Sequence, residues 1–275
     1  MTKINVLLEN NSVNHQYKSK HGLSVLINYN GDTILLDVGP DKKFAENAAK
    51  MNIDLAKVKY LFLSHNHNDH TGGINEFIKI NKTAAIYLMD NINSKYYVRN
   101  RFFNIPLGLK LAGANYSRVT QVKEDLIIDG GIQFLKNAVS DYVKPTFNKV
   151  LYKRDEKKLV NDTFDHEGIL VLEDNNELLI FNSCSHNGIL NVIETVRSKI
   201  PDKKIRAYVG GLHLCNPDTE QHEDDERLDY LIKELRERNV IVYTGHCTGK
   251  YALDYMKKKS GKMIQEINTG MELNI

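Results

Sequence analysis

Apolar residues recur at strand spacing near the start of the chain. Residues 4–8 alternate weakly, and 24–29 form a second such run after the turn-like pair His21-Gly22. Asn30-Gly31-Asp32 reads as a hairpin turn, because Asn and Gly tolerate the positive φ that a tight connection demands. It leads into a third strand over 33–37, and the string from Leu35 to Pro40 is a strand end followed by a turn. From about Asp41 the spacing becomes helical, with Phe44, Ala45, Ala48 and Met51 on one face. An apolar run over 58–63 has strand length and delivers the chain directly into Ser64-His65. Ile74, Phe77 and Ile78 mark a short helix beyond it.

The pattern breaks down over about 90–160. Tyr, Lys, Arg and Asn dominate there, and this stretch reads as a partly helical insertion capping one edge of the core. Regular spacing then returns. Strands over 168–172 and 177–181 flank Asp174-Asn175-Asn176, and Ile189, Val192, Ile193 and Val196 form a helical stripe. A strand over 205–209 ends at Gly210-Gly211, and Leu228, Leu231, Ile232 and Leu235 line an amphipathic helix. A strand over 240–243 ends at Thr244-Gly245-His246, with a helix near 251–258 and a short closing strand. With no internal repeat and no flexible linker, one domain over 1–275 is expected. Early hairpins followed by alternating strands and helices fit an α+β sandwich of sheets with helices outside.

Composition is ordinary for a globular protein, at 41% apolar and 26% charged residues, and the net charge of +2 argues against a dedicated nucleic-acid surface. No run approaches the ~18 apolar residues that a bilayer-spanning helix needs. The N-terminus has no long apolar core followed by a small-residue cleavage site, so it reads as a strand, and a cytoplasmic location is expected. The three cysteines, Cys184, Cys215 and Cys247, are too few and too far apart for a disulfide framework. Each lies within two residues of a histidine, namely His186, His213 and His246. They are either small buried residues at strand ends or members of a site.

The chemistry concentrates in the segment from Ser64 to Gly73. His65, His67, Asp69 and His70 place four potential ligands within six residues, directly after a buried strand. Histidine occurs only 10 times in 275 residues, so a chance polar loop of this kind is improbable. Imidazole and carboxylate suit zinc, iron and manganese. In a loop leaving a strand, His65 and His67 can share one metal while Asp69 and His70 turn toward a second. Four ligands cannot complete two shells, each of which usually takes about three or more protein groups. The missing ligands are therefore expected at other strand ends, where His186, His213 and His246 lie in strand-to-helix loops. His166 and His222 are expected at the surface, and His15 and His21 lack such placement.

The motif His65-x-His67-x-Asp69-His70 resembles the signature of the metallo-β-lactamase superfamily. Leu35-Leu36-Asp37-Val38-Gly39 is similar to that superfamily's Asp-x-Gly turn. Leu8-Glu9-Asn10, His21-Gly22-Leu23-Ser24, Ser183-Cys184-Ser185-His186, Gly210-Gly211-Leu212-His213-Leu214 and Gly245-His246-Cys247-Thr248-Gly249 follow in order. Together they resemble the branch named after 7,8-dihydropterin-6-methyl-4-(β-D-ribofuranosyl)aminobenzene-5′-phosphate synthase. The resemblance covers nearly the whole chain and implies a four-layer αββα sandwich. It implies two divalent metal ions, zinc first, with iron or manganese also acceptable. His65 and His67 would bind the first ion and Asp69 and His70 the second, with His186 completing the first set and His246 the second. Asp37 would support the metal loop from behind. Many superfamily members carry a bridging Asp in a Gly-Asp pair. Asn182-Ser183-Cys184-Ser185-His186 has none, so either Cys184 replaces it or solvent alone bridges.

Two such cations would lower the pKa of a shared water and supply a metal-bound hydroxide near neutral pH. A hydrolase of a small-molecule ester, lactone or phosphoester follows, with Asp69 and His213 as catalytic residues. Two other functions compete with it: a pterin-directed transferase releasing pyrophosphate, and a non-catalytic protein sensing a ligand at its metal. The expected partner is an anionic small molecule, with no nucleic acid and no membrane. Lys95, Arg99 and Arg101 of the insertion are candidates to meet its charge, or are simply solvated.

Overall fold

The hairpin signalled by Asn30-Gly31 forms as a two-residue turn. Tyr29 pairs with Asp32, and the two central residues take φ of 49° and 86°, matching the twist of the flanking strands. The computed structural model describes residues 1–100 and 103–275, which divide into two units. The first comprises Met1–Glu124, Lys149–Gly168 and Asn268–Ile275, and the second Asp125–Asn148 and Ile169–Ile267. Each is α+β, as expected.

The first unit contains a seven-stranded sheet in the order Glu272–Asn274, Lys3–Leu8, Ser24–Tyr29, Asp32–Leu36, Tyr60–Leu63, Ala85–Leu88, Val119–Gln121. Pairing is antiparallel as far as Asp32–Leu36 and parallel beyond it. The change occurs where helices take over the connections, since parallel neighbours need a crossover. Helix Lys43–Lys50 makes the first crossover and Ile74–Ile80 the second. Phe44 and Ala48 of the former and Ile74 and Phe77 of the latter are buried with Leu61, Leu63 and Ile86 of the sheet. Each buried aromatic contributes roughly 1.5–3 kcal/mol. This packing fixes where two parallel strands end. Leu36 pairs with Phe62, so Asp37 and Ser64 emerge at the same sheet edge.

The stretch expected to be partly helical has no α-helix among its described residues, and its helical part is confined to 3₁₀ turns. Among the described residues of 90–160 there are only strands and short 3₁₀ turns. Four strands, Lys158–Asn161, Leu151–Asp155, Tyr96–Arg99 and Asn104–Pro106, form a small antiparallel sheet in the first unit. Its aromatics pair with cations across strands: the Arg99 guanidinium lies 4.0 Å from the Tyr152 ring centroid, and that of Arg154 5.4 Å from Tyr97. Such cross-strand pairs carry no helical period, so the strands of this stretch leave no periodic signal in the sequence. Arg99 thus has structural partners, Lys95 is exposed, and Arg101 lies outside the described residues.

The second unit holds another seven-stranded sheet, ordered Ile264–Glu266, Ile241–Thr244, Lys204–Val209, Glu177–Phe181, Gly168–Asp174, Ile132–Lys136, Leu126–Ile128. Glu177–Phe181, Lys204–Val209, Ile241–Thr244 and Ile264–Glu266 run parallel. Helices Ile189–Lys199, Asp225–Glu237 and Lys250–Ser260 supply its core through the stripes expected of them, including Val192, Val196, Leu228, Leu231 and Leu235. Asp224 caps the second of these, its carboxylate accepting from the Arg227 N–H at 2.8 Å. Because Phe181, Val209 and Tyr243 are in register, the loops carrying His186, His213 and His246 leave one edge of this sheet. No helix among the described residues is long and apolar enough to cross a membrane.

Candidate metal centre

Asp37 anchors the histidine loop. It is fully buried and held at φ 58°, a left-handed conformation that costs a non-glycine residue on the order of 1 kcal/mol or more. One carboxylate oxygen accepts from the Ser64 N–H at 2.7 Å. The other accepts from Ser64 Oγ at 2.7 Å and from His70 Nδ1 at 2.8 Å. Ser64 Oγ has one proton and spends it on the carboxylate, so it accepts from His65 Nδ1 at 2.8 Å. Both imidazoles therefore carry a proton on Nδ1, which leaves Nε2 as the nitrogen each could offer a metal. The loop is partly helical, since Asn68–Thr71 forms a single turn that carries Asp69 and His70. At Gly72 a Cβ would stand 2.2 Å from the Pro40 carbonyl oxygen, so only glycine admits the chain there.

The three rings converge. The His65 centroid lies 4.6 Å from that of His67 and 4.3 Å from that of His70. Asp69 Oδ2 lies 3.4 Å from His70 Nε2 and 3.4 Å from His21 Nε2. Burial, reinforced by the neighbouring His166, pushes His67 down to about 3, and burial with His70 close by holds His65 well below its ordinary value. Burial would also lower His70, but Asp69 and Asp37 outweigh it and raise that imidazole to about 10. Two neutral imidazoles beside a carboxylate pair that attracts a cation are a donor set fitted to a divalent metal.

These shifts set a pH profile for the metal-stripped protein. Between about pH 3 and 6.5 the unfolded chain binds a proton at His67 that the folded chain refuses, so stability falls as pH drops through that window. His70 acts in reverse. Its contribution is complete below 6.5 and is lost as pH rises toward about 10. Urea melts of chelator-treated protein should therefore be most favourable near neutral pH. A flat response from about pH 4 to 7 would contradict a neutral His67.

His166, expected at the surface, is buried at 2% exposure. Its Nδ1 accepts from the Asn66 N–H at 3.1 Å, and its Nε2 donates to Asp162 Oδ2 at 3.0 Å. The Asn66 side chain donates to Asp90 at 2.8 Å and accepts from the Leu109 N–H at 2.7 Å. The 90–166 stretch thus grips the histidine loop at the residue between His65 and His67. The missed signal is Asp162 and His166 four residues apart, immediately before the strand Gly168–Asp174. His166→Ala is expected to weaken metal binding about 10–100-fold, as supporting-residue changes do, read by competition with a chromophoric chelator. Unchanged affinity would show that the Asn66 contact is dispensable.

In the second unit, His186 is 1% exposed and its Nδ1 donates to Asn148 Oδ1 at 3.0 Å. The Asn148 amide donates back to the His186 carbonyl at 2.7 Å, so this ring too offers Nε2. The His213 ring centroid lies 4.2 Å from that of His186. His213 is 9% exposed, and neither of its ring nitrogens has a hydrogen-bond partner. Ser185, His213 and His246 all sit at positive φ, 52°, 52° and 51°. The Tyr208 hydroxyl ties two loops together: it lies 2.6 Å from Asn182 O and 2.9 Å from Gly211 O, and accepts from Ser185 Oγ at 2.5 Å. His222 is exposed and stacks on Tyr251 at 3.7 Å.

The family model described as the metallo-beta-lactamase superfamily matches residues 20–133. The chain is 29% identical to the 7,8-dihydropterin-6-methyl-4-(β-D-ribofuranosyl)-aminobenzene-5′-phosphate synthase of Methanocaldococcus jannaschii, over 92% of each. Its structure is similar to Tm1679, a metal-dependent hydrolase of the β-lactamase superfamily, with TM-score 0.83, 25% identity and coverage of 100% and 99% of the two chains. The isothiocyanate hydrolase from Delia radicum gut bacteria shares the fold at TM-score 0.58 and 13% identity, covering 100% of this chain and 99% of that one.

Proposed function

We propose that this chain, which is similar to the metallo-β-lactamase superfamily over residues 20–133, is a metal-dependent hydrolase of a small anionic ester, lactone or phosphoester. The observation that carries this reading is the Asp37–Ser64–His65 and Asp37–His70 network, which fixes two buried imidazoles with Nε2 as the ligating atom. We assign His65 and His67 to one divalent cation and Asp69 and His70 to another, with zinc as the first choice, and read His186 and His246 of the second unit as further metal ligands. Bound there, such cations supply Lewis acidity to a water and to the scissile group. Asp69 takes the proton from the attacking water at its carboxylate. His213 uses its ring nitrogens to hold the substrate's anionic group or to return a proton to the leaving oxygen. The buried surroundings of the histidine loop exclude bulk water from these transfers.

A second reading is a pterin-directed transferase, favoured by similarity to the synthase along 92% of the chain. The same donors would then grip a diphosphate leaving group. One panel separates the two: metal-loaded protein against generic esters and bis-phosphodiesters, with a pterin diphosphate and an arylamine alongside. Hydrolysis that falls to background in His67→Ala supports the first. Diphosphate release only when the arylamine is present supports the second. Binding without turnover of any substrate would sink both.

A further inference from the structure

The loops of the second unit hold a cluster that the assignments above use only in part. Cys184, His246 and Cys247 each offer one ligand atom, these atoms lie within 4.8 Å of one another, and all three residues are buried. We propose that they form a thiolate-bearing metal site for a borderline or soft divalent cation such as zinc, with both cysteine sulfurs as ligands. The proposal rests on the reading of His246 as a metal ligand and adds two sulfurs to it.

Charge favours the sulfurs. Binding one divalent cation releases one proton from each thiol, so the cation and two thiolates sum to zero. A neutral assembly avoids most of the penalty for burying an unbalanced cation, which histidine ligands alone would leave in place. Softness points the same way, because thiolates select zinc over magnesium or calcium.

The backbone is shaped to seat Cys247. At Gly211 a Cβ would meet Cys247 Sγ at 2.5 Å, so the sulfur fills space that any larger residue would claim. The His213 N–H donates to Cys247 Sγ at 3.3 Å, a bond that strengthens as sulfur gains negative charge. His213 and His246 are held in the left-handed region, a conformation that residues other than glycine seldom adopt without a local reason. The buried His213 ring, with both nitrogens unpartnered, is an independent sign that the same loops are built to meet a polar or cationic ligand. Cys215 is the internal control, since its Sγ donates to the Cys247 carbonyl oxygen at 3.5 Å instead of joining the cluster.

The test uses the full chain. X-ray absorption at the zinc edge of the zinc-loaded wild type should show a sulfur shell at ~2.3 Å. The cobalt-substituted protein should show a near-ultraviolet thiolate charge-transfer band. That band should drop by about half in Cys184→Ser and in Cys247→Ser and be unchanged in Cys215→Ser. In His67→Ala it should persist while total metal falls, so failure of the hydrolase reading and failure of this one look different. A zinc shell of nitrogen and oxygen only overturns the proposal and needs no variant to fold. So does a cobalt band that survives in the Cys184→Ser, Cys247→Ser double variant.

Discussion

Asp37→Asn should lower metal affinity about a hundredfold and destabilise the folded chain by about 3 kcal/mol. The side chain is nearly isosteric, so the effect comes from polarity. All three partners of the carboxylate, the Ser64 N–H, the Ser64 hydroxyl and His70 Nδ1, donate to it. An amide has one accepting atom, so its NH₂ must face at least one donor. If it faces Ser64 Oγ or His70, the hydroxyl turns or the imidazole changes tautomer, and the ligating nitrogens of His65 and His70 are no longer fixed. Chelator competition measures the first effect and urea denaturation the second. Wild-type affinity in a folded variant would show that the carboxylate does not orient the imidazoles.

Tyr208→Phe should cost about 3 kcal/mol while leaving the strand Lys204–Val209 intact. The ring still fills its place, but Asn182 O, Gly211 O and Ser185 Oγ lose their shared partner in a fully buried setting. The midpoint of urea unfolding should fall with an unchanged slope, since the surface exposed on unfolding is the same. A cost below about 0.5 kcal/mol would mean that the two loops hold their course without the hydroxyl.

The parts of the fold that were legible are those with a short-range physical cause. Asn30-Gly31 and Asn175-Asn176 announce turns because few residues tolerate their φ, and both turns form. The stripes Phe44, Ala48 and Leu228, Leu231, Ile232, Leu235 bury the face they imply. The strand 58–63 is shortened to Tyr60–Leu63 because Leu55–Lys57 takes a 3₁₀ turn capped by Asp54. His65, His67, Asp69 and His70 were legible as a set because they are adjacent in sequence. His166 was not, because its partner Asn66 lies 100 residues away and is brought to it by pairing of distant segments, as in the Gly168 N–H bond to Ser64 O. The approach of His21 to Asp69 is likewise a product of tertiary packing rather than of local pattern.

His213 and His246 share a left-handed backbone that glycine would adopt without resistance. A copy of this chain relieved of its chemical duty would gain robustness by drifting to glycine at these two places, and most of all at His213, where a buried ring with unmet nitrogens would vanish as well. Heat tolerance and reactivity therefore pull in opposite directions at the same residues, and directed evolution for thermal endurance alone would tend to erase the site first.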